Sequence, residues 1–221
     1  MTRNRSYEWW SRNLWALRGL YSFVFLGRET TFRRRSIAAL DLEAGDRVLE
    51  LGCGPGNSFE SLRRAVGADG MVVGVDYSQG MVERAADRIE ESGWENVHVS
   101  RADAAIPGIA AGTFDAVYAA MSLSAMPDPT AVVKTAAACL TPEGQFAVLD
   151  ARPFQRLPLS LLNPLVAAVF KRTTDWKPEI DIPAAIESAF ETTSVRGYHQ
   201  GSIYIARGAQ PRVTQHPAAV E

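Results

Sequence analysis

The 221-residue sequence predicts an α/β fold, a mostly parallel sheet with helices on both faces. Three observations predict it. Short apolar runs alternate with amphipathic stretches through residues 47–150. The first run feeds directly into a glycine-rich turn, and acidic residues follow the second and third runs.

In chain order, Trp10, Leu14, Leu17, Tyr21 and Val24 recur at four- and three-residue steps and predict a helix. A second helix follows over Thr30–Leu40, so residues 1–40 form a helical lid. Asp41–Asp46 is a polar turn. Arg47–Leu51 is a strand, and a helix opens at Asn57 or Ser58 after the glycines. Met71–Val75 is the second strand, closed by Asp76. Ser78 caps a helix to about Glu91, with Met81, Ala85 and Ile89 on one face. Val97–Ser100 is the third strand and precedes Asp103. Phe114–Ala119 and Gln145–Asp150 are the fourth and fifth, with a helix over Pro129–Leu140 between them. Residues 154–183 form a proline-interrupted insert on the substrate side. Glu191–Tyr198 and Ser202–Ala206 form a hairpin across Gln200 and Gly201, ending a main domain over 41–208. Residues 209–221 are expected to be a flexible tail.

Composition suits one soluble globular domain: 47% of residues are apolar and 22% charged. Two cysteines, Cys53 and Cys139, suggest neither a disulfide framework nor a metal cluster, so the expected setting is the reducing cytoplasm and no metal is expected. The net charge is −2, yet residues 1–40 hold eight arginines against Glu8 and Glu29, a local excess of six positive charges. Such a leader suits peripheral contact with an anionic membrane, or a helix whose arginines simply face water. No apolar run reaches the ~20 residues that span a bilayer. Arg18 interrupts the run Leu14–Leu26, and Gly27-Arg28-Glu29 lacks a small-residue cleavage site, so no signal peptide is expected.

The chemistry concentrates in Glu50-Leu-Gly-Cys-Gly-Pro-Gly56 at a strand-to-helix junction. Gly52, Gly54 and Gly56 let a ligand approach the backbone, and the helix start behind them favours an anionic group. Asp76, at the end of the second strand, suits a ribose diol. Asp103, past the third, is within reach of an adenine edge. The glycines are spaced G-x-G-x-G, not the G-x-G-x-x-G of dinucleotide sites. Together these residues resemble the class I S-adenosylmethionine-dependent methyltransferases over Asp46–Asp150.

That resemblance implies a Rossmann-like seven-stranded sheet with the last strand antiparallel, and S-adenosylmethionine as cofactor. It implies that Gly52, Gly54 and Gly56 hold the methionine portion and Asp76 the ribose. Tyr77 and Met81 would flank the adenine, Asp103 and Ala104 would read its edge, and Met121 would line the transferable methyl. Glu50 would make an indirect polar contact, and Tyr21 and Arg28 would reach in from the lid. On the residues alone, Gly56 also suits close helix packing and Met81 a core position.

The Asn/Asp/Ser-Pro-Pro-aromatic box of enzymes that methylate base amino groups is missing from Ala119–Pro127, which disfavours nucleic acid as partner. The layout loosely resembles quinone-biosynthesis C-methyltransferases and bacterial phosphatidylethanolamine N-methyltransferases. The apolar faces of residues 9–26 and 157–170 suit a small lipophilic, membrane-associated acceptor. Of the histidines, His98 sits within a strand and His216 in the tail, whereas His199 falls at the end of the sixth strand. Tyr198 and His199 are therefore the candidates bordering the acceptor. The rival readings are a non-catalytic S-adenosylmethionine-binding module and a nicotinamide-dependent oxidoreductase. The methylated atom and the oligomeric state are not legible.

Overall fold

The computed structural model describes residues 5–212. Its strands are β1 Arg47–Leu51, β2 Met71–Asp76, β3 Val97–Arg101, β4 Phe114–Ala120, β5 Leu140–Ala151, β6 Phe190–Tyr198 and β7 Ile203–Pro211. They form one seven-stranded sheet in the order β3-β2-β1-β4-β5-β7-β6. The first five pair in parallel, and β7 runs antiparallel between β5 and β6. The order reverses between β1 and β4, and ligands of such sheets bind in the crevice beyond the strand ends at that point.

The sheet is apolar on both faces because helices cover both. Neighbouring residues alternate sides: Leu49 and Val117 join Val132, Phe146 and Ile186 in one core, while Val48 and Tyr118 join Phe32, Phe59 and Leu62 in the other. Helices α6 (Pro129–Cys139) and α8 (Ile182–Ala189) cover the first core. Helices α3 (Glu29–Ala38), α4 (Phe59–Val66) and α5 (Gln79–Ser92) cover the second. Their starts follow local chemistry. Ser78 Oγ accepts the Met81 N–H at α5, Asp128 that of Ala131 at α6, and Asp181 that of Ala184 at α8. Each such cap contributes about 1 kcal/mol.

Two expectations need correction and a third gains detail. The first helix is two helices, α1 (Arg5–Arg12) and α2 (Leu14–Val24). Asn13 separates them: its Nδ2 donates to the Trp9 carbonyl at 2.8 Å, while its own carbonyl accepts from Ala16 and Leu17. A side chain that satisfies the preceding turn competes with helix continuation. The insert contains a helix, α7 (Asn163–Thr173), and the first residues of α8. The expected tail begins inside β7, because Ala209 pairs with both Gln145 and Thr192, and Pro211 pairs with Phe190. The part of that tail past Arg212, with His216, lies outside the described residues. Among the described residues no helix is long and apolar enough to cross a membrane.

Phe59 is fully buried against the backbone of Gly56 and Gly74: a Cβ on Gly74 would lie 2.5 Å from the Phe59 ring and 2.9 Å from Cys53 Sγ. Gly74→Ala should therefore destabilise by about 1–3 kcal/mol, as overpacking does. Urea denaturation of Gly74→Ala in the wild-type and Phe59→Leu backgrounds checks this. The smaller side chain should recover part of the loss, and equal losses in both backgrounds would exclude the clash.

Candidate active site

At the mouth of the crevice, Gly52, Gly54 and Gly56 all take positive φ, at 67°, 54° and 74°. Only Gly54 faces open space. A Cβ on Gly52 would meet Ser122 Cβ at 2.6 Å, and one on Gly56 the Phe59 ring at 2.6 Å. At Gly52 and Gly56 the protein's own side chains fill the Cβ direction, so packing as well as φ requires glycine there. The Gly54 N–H donates to Asp76 Oδ2 at 2.9 Å and the Ser78 N–H to Oδ1 at 2.9 Å. Burial raises the Asp76 pKa, and the backbone donors oppose that rise.

Behind the loop lies a buried polar cluster. Arg33 of α3 is only 6% exposed. Its Nη1 donates to Ser58 Oγ at 2.8 Å and its Nε to Glu29 at 2.8 Å. Glu50 is 1% exposed, and its Oε2 has no hydrogen-bond partner among the described residues. Burial pushes the Glu50 carboxyl up to about 7, with the Arg33 charge and the Ser58 hydroxyl pulling the other way. Ser36 and Tyr118 exchange a 2.7 Å hydrogen bond alongside. Arg28, the arginine expected to reach in, is exposed just before α3. Arg33, five residues on, points the other way round the helix and is the one buried behind the loop. Of the three consecutive arginines only Arg33 stands four residues after Glu29, the spacing of the ion pair it forms.

A largely apolar chamber of about 540 Å³ opens beyond the strand ends, under α2 and beside α7. Tyr21, Met121 and His199 line it. Burial pushes the Tyr21 hydroxyl up to about 12, with the Arg33 charge opposing, and the Arg33 guanidinium lies 6.0 Å from its ring centre. His199 takes φ 45°, its ring meets Phe32 edge-on at 5.2 Å, and its Nε2 is buried without a partner among the described residues. Tyr198 does not line the chamber. It packs on Phe32 at 5.1 Å with the Arg35 guanidinium 5.8 Å from its ring. Asp150, at the end of β5, was not anticipated. It is fully buried and accepts from Ser124 Oγ at 2.7 Å, the Ser124 N–H at 2.9 Å and the Ala151 N–H at 2.7 Å, and burial pushes it up to about 6.

The sequence matches the family described as "Methyltransferase domain" over residues 48–144. It is 31% identical over 180 residues to the phosphatidylethanolamine N-methyltransferase of Cereibacter sphaeroides, covering 81% of this chain and 82% of that protein. It is 31% identical over 155 residues to the aklanonic acid methyltransferase DauC of a Streptomyces species, covering 68% and 70%. The chain belongs to the S-adenosylmethionine-dependent methyltransferases. Some relatives are longer: the match to the nocamycin O-methyltransferase of Saccharothrix syringae, 34% identical, covers 67% of this chain and about half (53%) of that protein. The geranyl diphosphate C-methyltransferase of Streptomyces coelicolor shares the fold, with a TM-score of 0.67 at 16% identity over 84% of this chain and 76% of that one.

In this methyltransferase the residues expected around the adenine are spread out. Tyr77 is exposed, and the Arg101 guanidinium lies 5.8 Å from its ring. Met81 is 2% exposed and packs against Trp10 and Leu17, the core position that its helical spacing also allowed. Asp103 is exposed and accepts the Ala105 N–H at 2.9 Å, while Ala104 is buried in the first core.

The raised Glu50 pKa has a stability consequence. The folded protein binds more protons than the unfolded chain between the ordinary 4.5 and about 7. Stability from this group is therefore greatest below the lower value and declines as pH rises through the upper one. Urea titrations of the cofactor-free methyltransferase should show a decline on the order of 1–3 kcal/mol across that window, flattened in Glu50→Gln. An unchanged slope in the variant would remove Glu50 as its source.

Proposed function

We propose that the methyltransferase transfers the methyl group of S-adenosylmethionine to a small lipophilic acceptor held in the apolar chamber, and that it works in the cytoplasm and at the membrane surface. One observation carries the reading: the glycine loop and Asp76 meet at the strand ends, next to the chamber that Met121 lines. The loop fits the cofactor. The space where a Gly54 Cβ would stand is open, and the Asp76 carboxylate, with about four acceptor sites, retains capacity for a ribose hydroxyl beyond its backbone donors. Gly52 and Gly56 shape the turn around that opening. Glu50 Oε2 is a buried acceptor without a partner among the described residues. The exposed Tyr77 and Asp103, past β2 and β3, border the adenine end, while Met81 and Ala104 back it from the core.

When bound, the cofactor supplies a sulfonium-activated methyl group. The protein's task is then alignment and exclusion of water, which in ideal cases contributes up to ~7–11 kcal/mol. Tyr21 and Met121 confine the acceptor on the side of the lid and of β4. His199, in the chamber wall, supplies the imidazole that takes the acceptor's proton where one must leave.

The chamber supports an acceptor that is mostly hydrocarbon or ring, and some similar proteins are named for phosphatidylethanolamine and demethylmenaquinone. Leu157, Leu161, Leu165 and Val169 beside the chamber are 50–74% exposed, and Trp15 of the arginine-rich leader is 77% exposed. Apolar side chains beside basic ones suit an anionic lipid surface. Flotation with anionic vesicles but not neutral ones is expected, and no flotation with either would remove this support.

Asp76→Ala should weaken S-adenosylhomocysteine binding at least tenfold by calorimetry. Unchanged affinity would overturn the cofactor assignment. His199→Ala should leave that affinity intact while lowering turnover about 100-fold with an acceptor that loses a proton. That acceptor is to be found by following radiolabelled methyl into lipid, quinone-precursor and small-molecule fractions. Full turnover in His199→Ala would exclude the proton-accepting role.

A further inference from the structure

Two cavities share one stretch of wall. The apolar chamber and a smaller, more polar cavity of about 250 Å³ both use Ser124, Ala151 and Arg152. Arg152 follows β5 directly and is half-buried at the seam. Its guanidinium stands 5.1 Å from the centre of the buried Tyr204 ring, and its Nε donates to the Gly201 carbonyl at 2.9 Å. Among the described residues no carboxylate pairs with it.

The smaller cavity also holds Asp181, Glu179 and Lys177, none of which forms an ion pair with Arg152. Asp181 accepts the Ala184 N–H at 3.1 Å, and Glu179 pairs with Lys171 at 3.0 Å. Lys177 Nζ donates to the carbonyls of Met126 at 2.8 Å and Pro127 at 2.6 Å. A partly desolvated guanidinium with no carboxylate bonded to it has donors to offer, and its planar fork matches a carboxylate or a phosphate. The turn that holds it is itself strained. His199 and Gln200 take φ 45° and 58°, consecutive left-handed conformations that non-glycine residues rarely adopt. This turn supplies the Gly201 carbonyl that orients Arg152 and places both His199 and Gln200 in the chamber wall.

We propose that Arg152 is a specificity-determining residue that binds the anionic group of an amphiphilic acceptor, a carboxylate or a phosphate ester, while the acceptor's apolar body fills the larger chamber. This rests on the reading of that chamber as the acceptor site. Anionic amphiphiles are favoured over neutral ones of the same length, and an apolar molecule without a charged end is bound in the chamber alone.

Calorimetry on the full chain saturated with S-adenosylhomocysteine tests this, with laurate, dodecyl phosphate and methyl laurate as probes below their micelle concentrations. At least one anion should bind tenfold or more tightly than the neutral ester, and the tighter of the two tells carboxylate from phosphate. Arg152→Gln should abolish the preference without weakening methyl laurate or S-adenosylhomocysteine binding, and Arg152→Lys should keep part of it. Equal binding of anions and ester by the wild type, or a preference that survives in Arg152→Gln, overturns the proposal and leaves the lipophilic acceptor standing. If methyl laurate and both anions all fail to bind while S-adenosylhomocysteine does, the chamber reading falls with it. The wild-type comparison decides even if the glutamine variant does not fold.

Discussion

The carboxylate of Asp76 fastens two pieces of chain that the pairing of β1 with β2 brings side by side. One oxygen accepts the N–H of Gly54 in the loop after β1, the other the N–H of Ser78 at the start of α5. Both donors are backbone groups that the turn leaves without another partner, and a buried ion needs such donors to remain charged. The left-handed Gly54 is what turns its N–H towards the acid. The same helix start also receives the lid: Glu8 of α1 accepts from Ser78 Oγ at 3.0 Å and from the Gly80 N–H at 3.4 Å. Loop, helix and lid thus share one anchor at the strand ends.

The arginine-rich leader has two kinds of arginine. Arg28 faces solvent, whereas Arg33 lies beneath the glycine loop, where Ser58 and Glu29 satisfy it and Glu50 lies near enough to feel its charge. Removing one member of such a cluster leaves the others buried and unpaired, so the lid is held to the sheet by polar groups as well as by Phe25, Phe32 and Ile37. Composition records only the excess of positive charge. Where each charge goes depends on helix phase.

Legibility tracked the range of the interaction involved. Ser78 and Asp128 act on backbone groups three residues away, and the helices they open were readable. The parallel strands were readable because helices cover both faces and leave uninterrupted apolar runs. The break at Asn13 was not, since an asparagine within an amphipathic pattern is compatible with continuing. Asp150 left no trace either: an acid at a strand end is ordinary until Ser124, brought from beyond β4, turns two donors onto it. Tyr198 and His199 are adjacent in sequence, yet only the second faces the chamber, because the turn at 199–201 redirects the chain.

From residue order alone came the parallel sheet, the glycine turn at its switch point, the acid that closes β2 and the family to which these belong, all governed by periodicity and contacts along a few residues of chain. Three-dimensional packing decided which glycine stays open, which arginine is buried, and how far the chamber extends between the lid, α7 and the last hairpin. Those outcomes depend on contacts between segments tens of residues apart, and no local pattern encodes the side of a helix or turn that such a contact will claim.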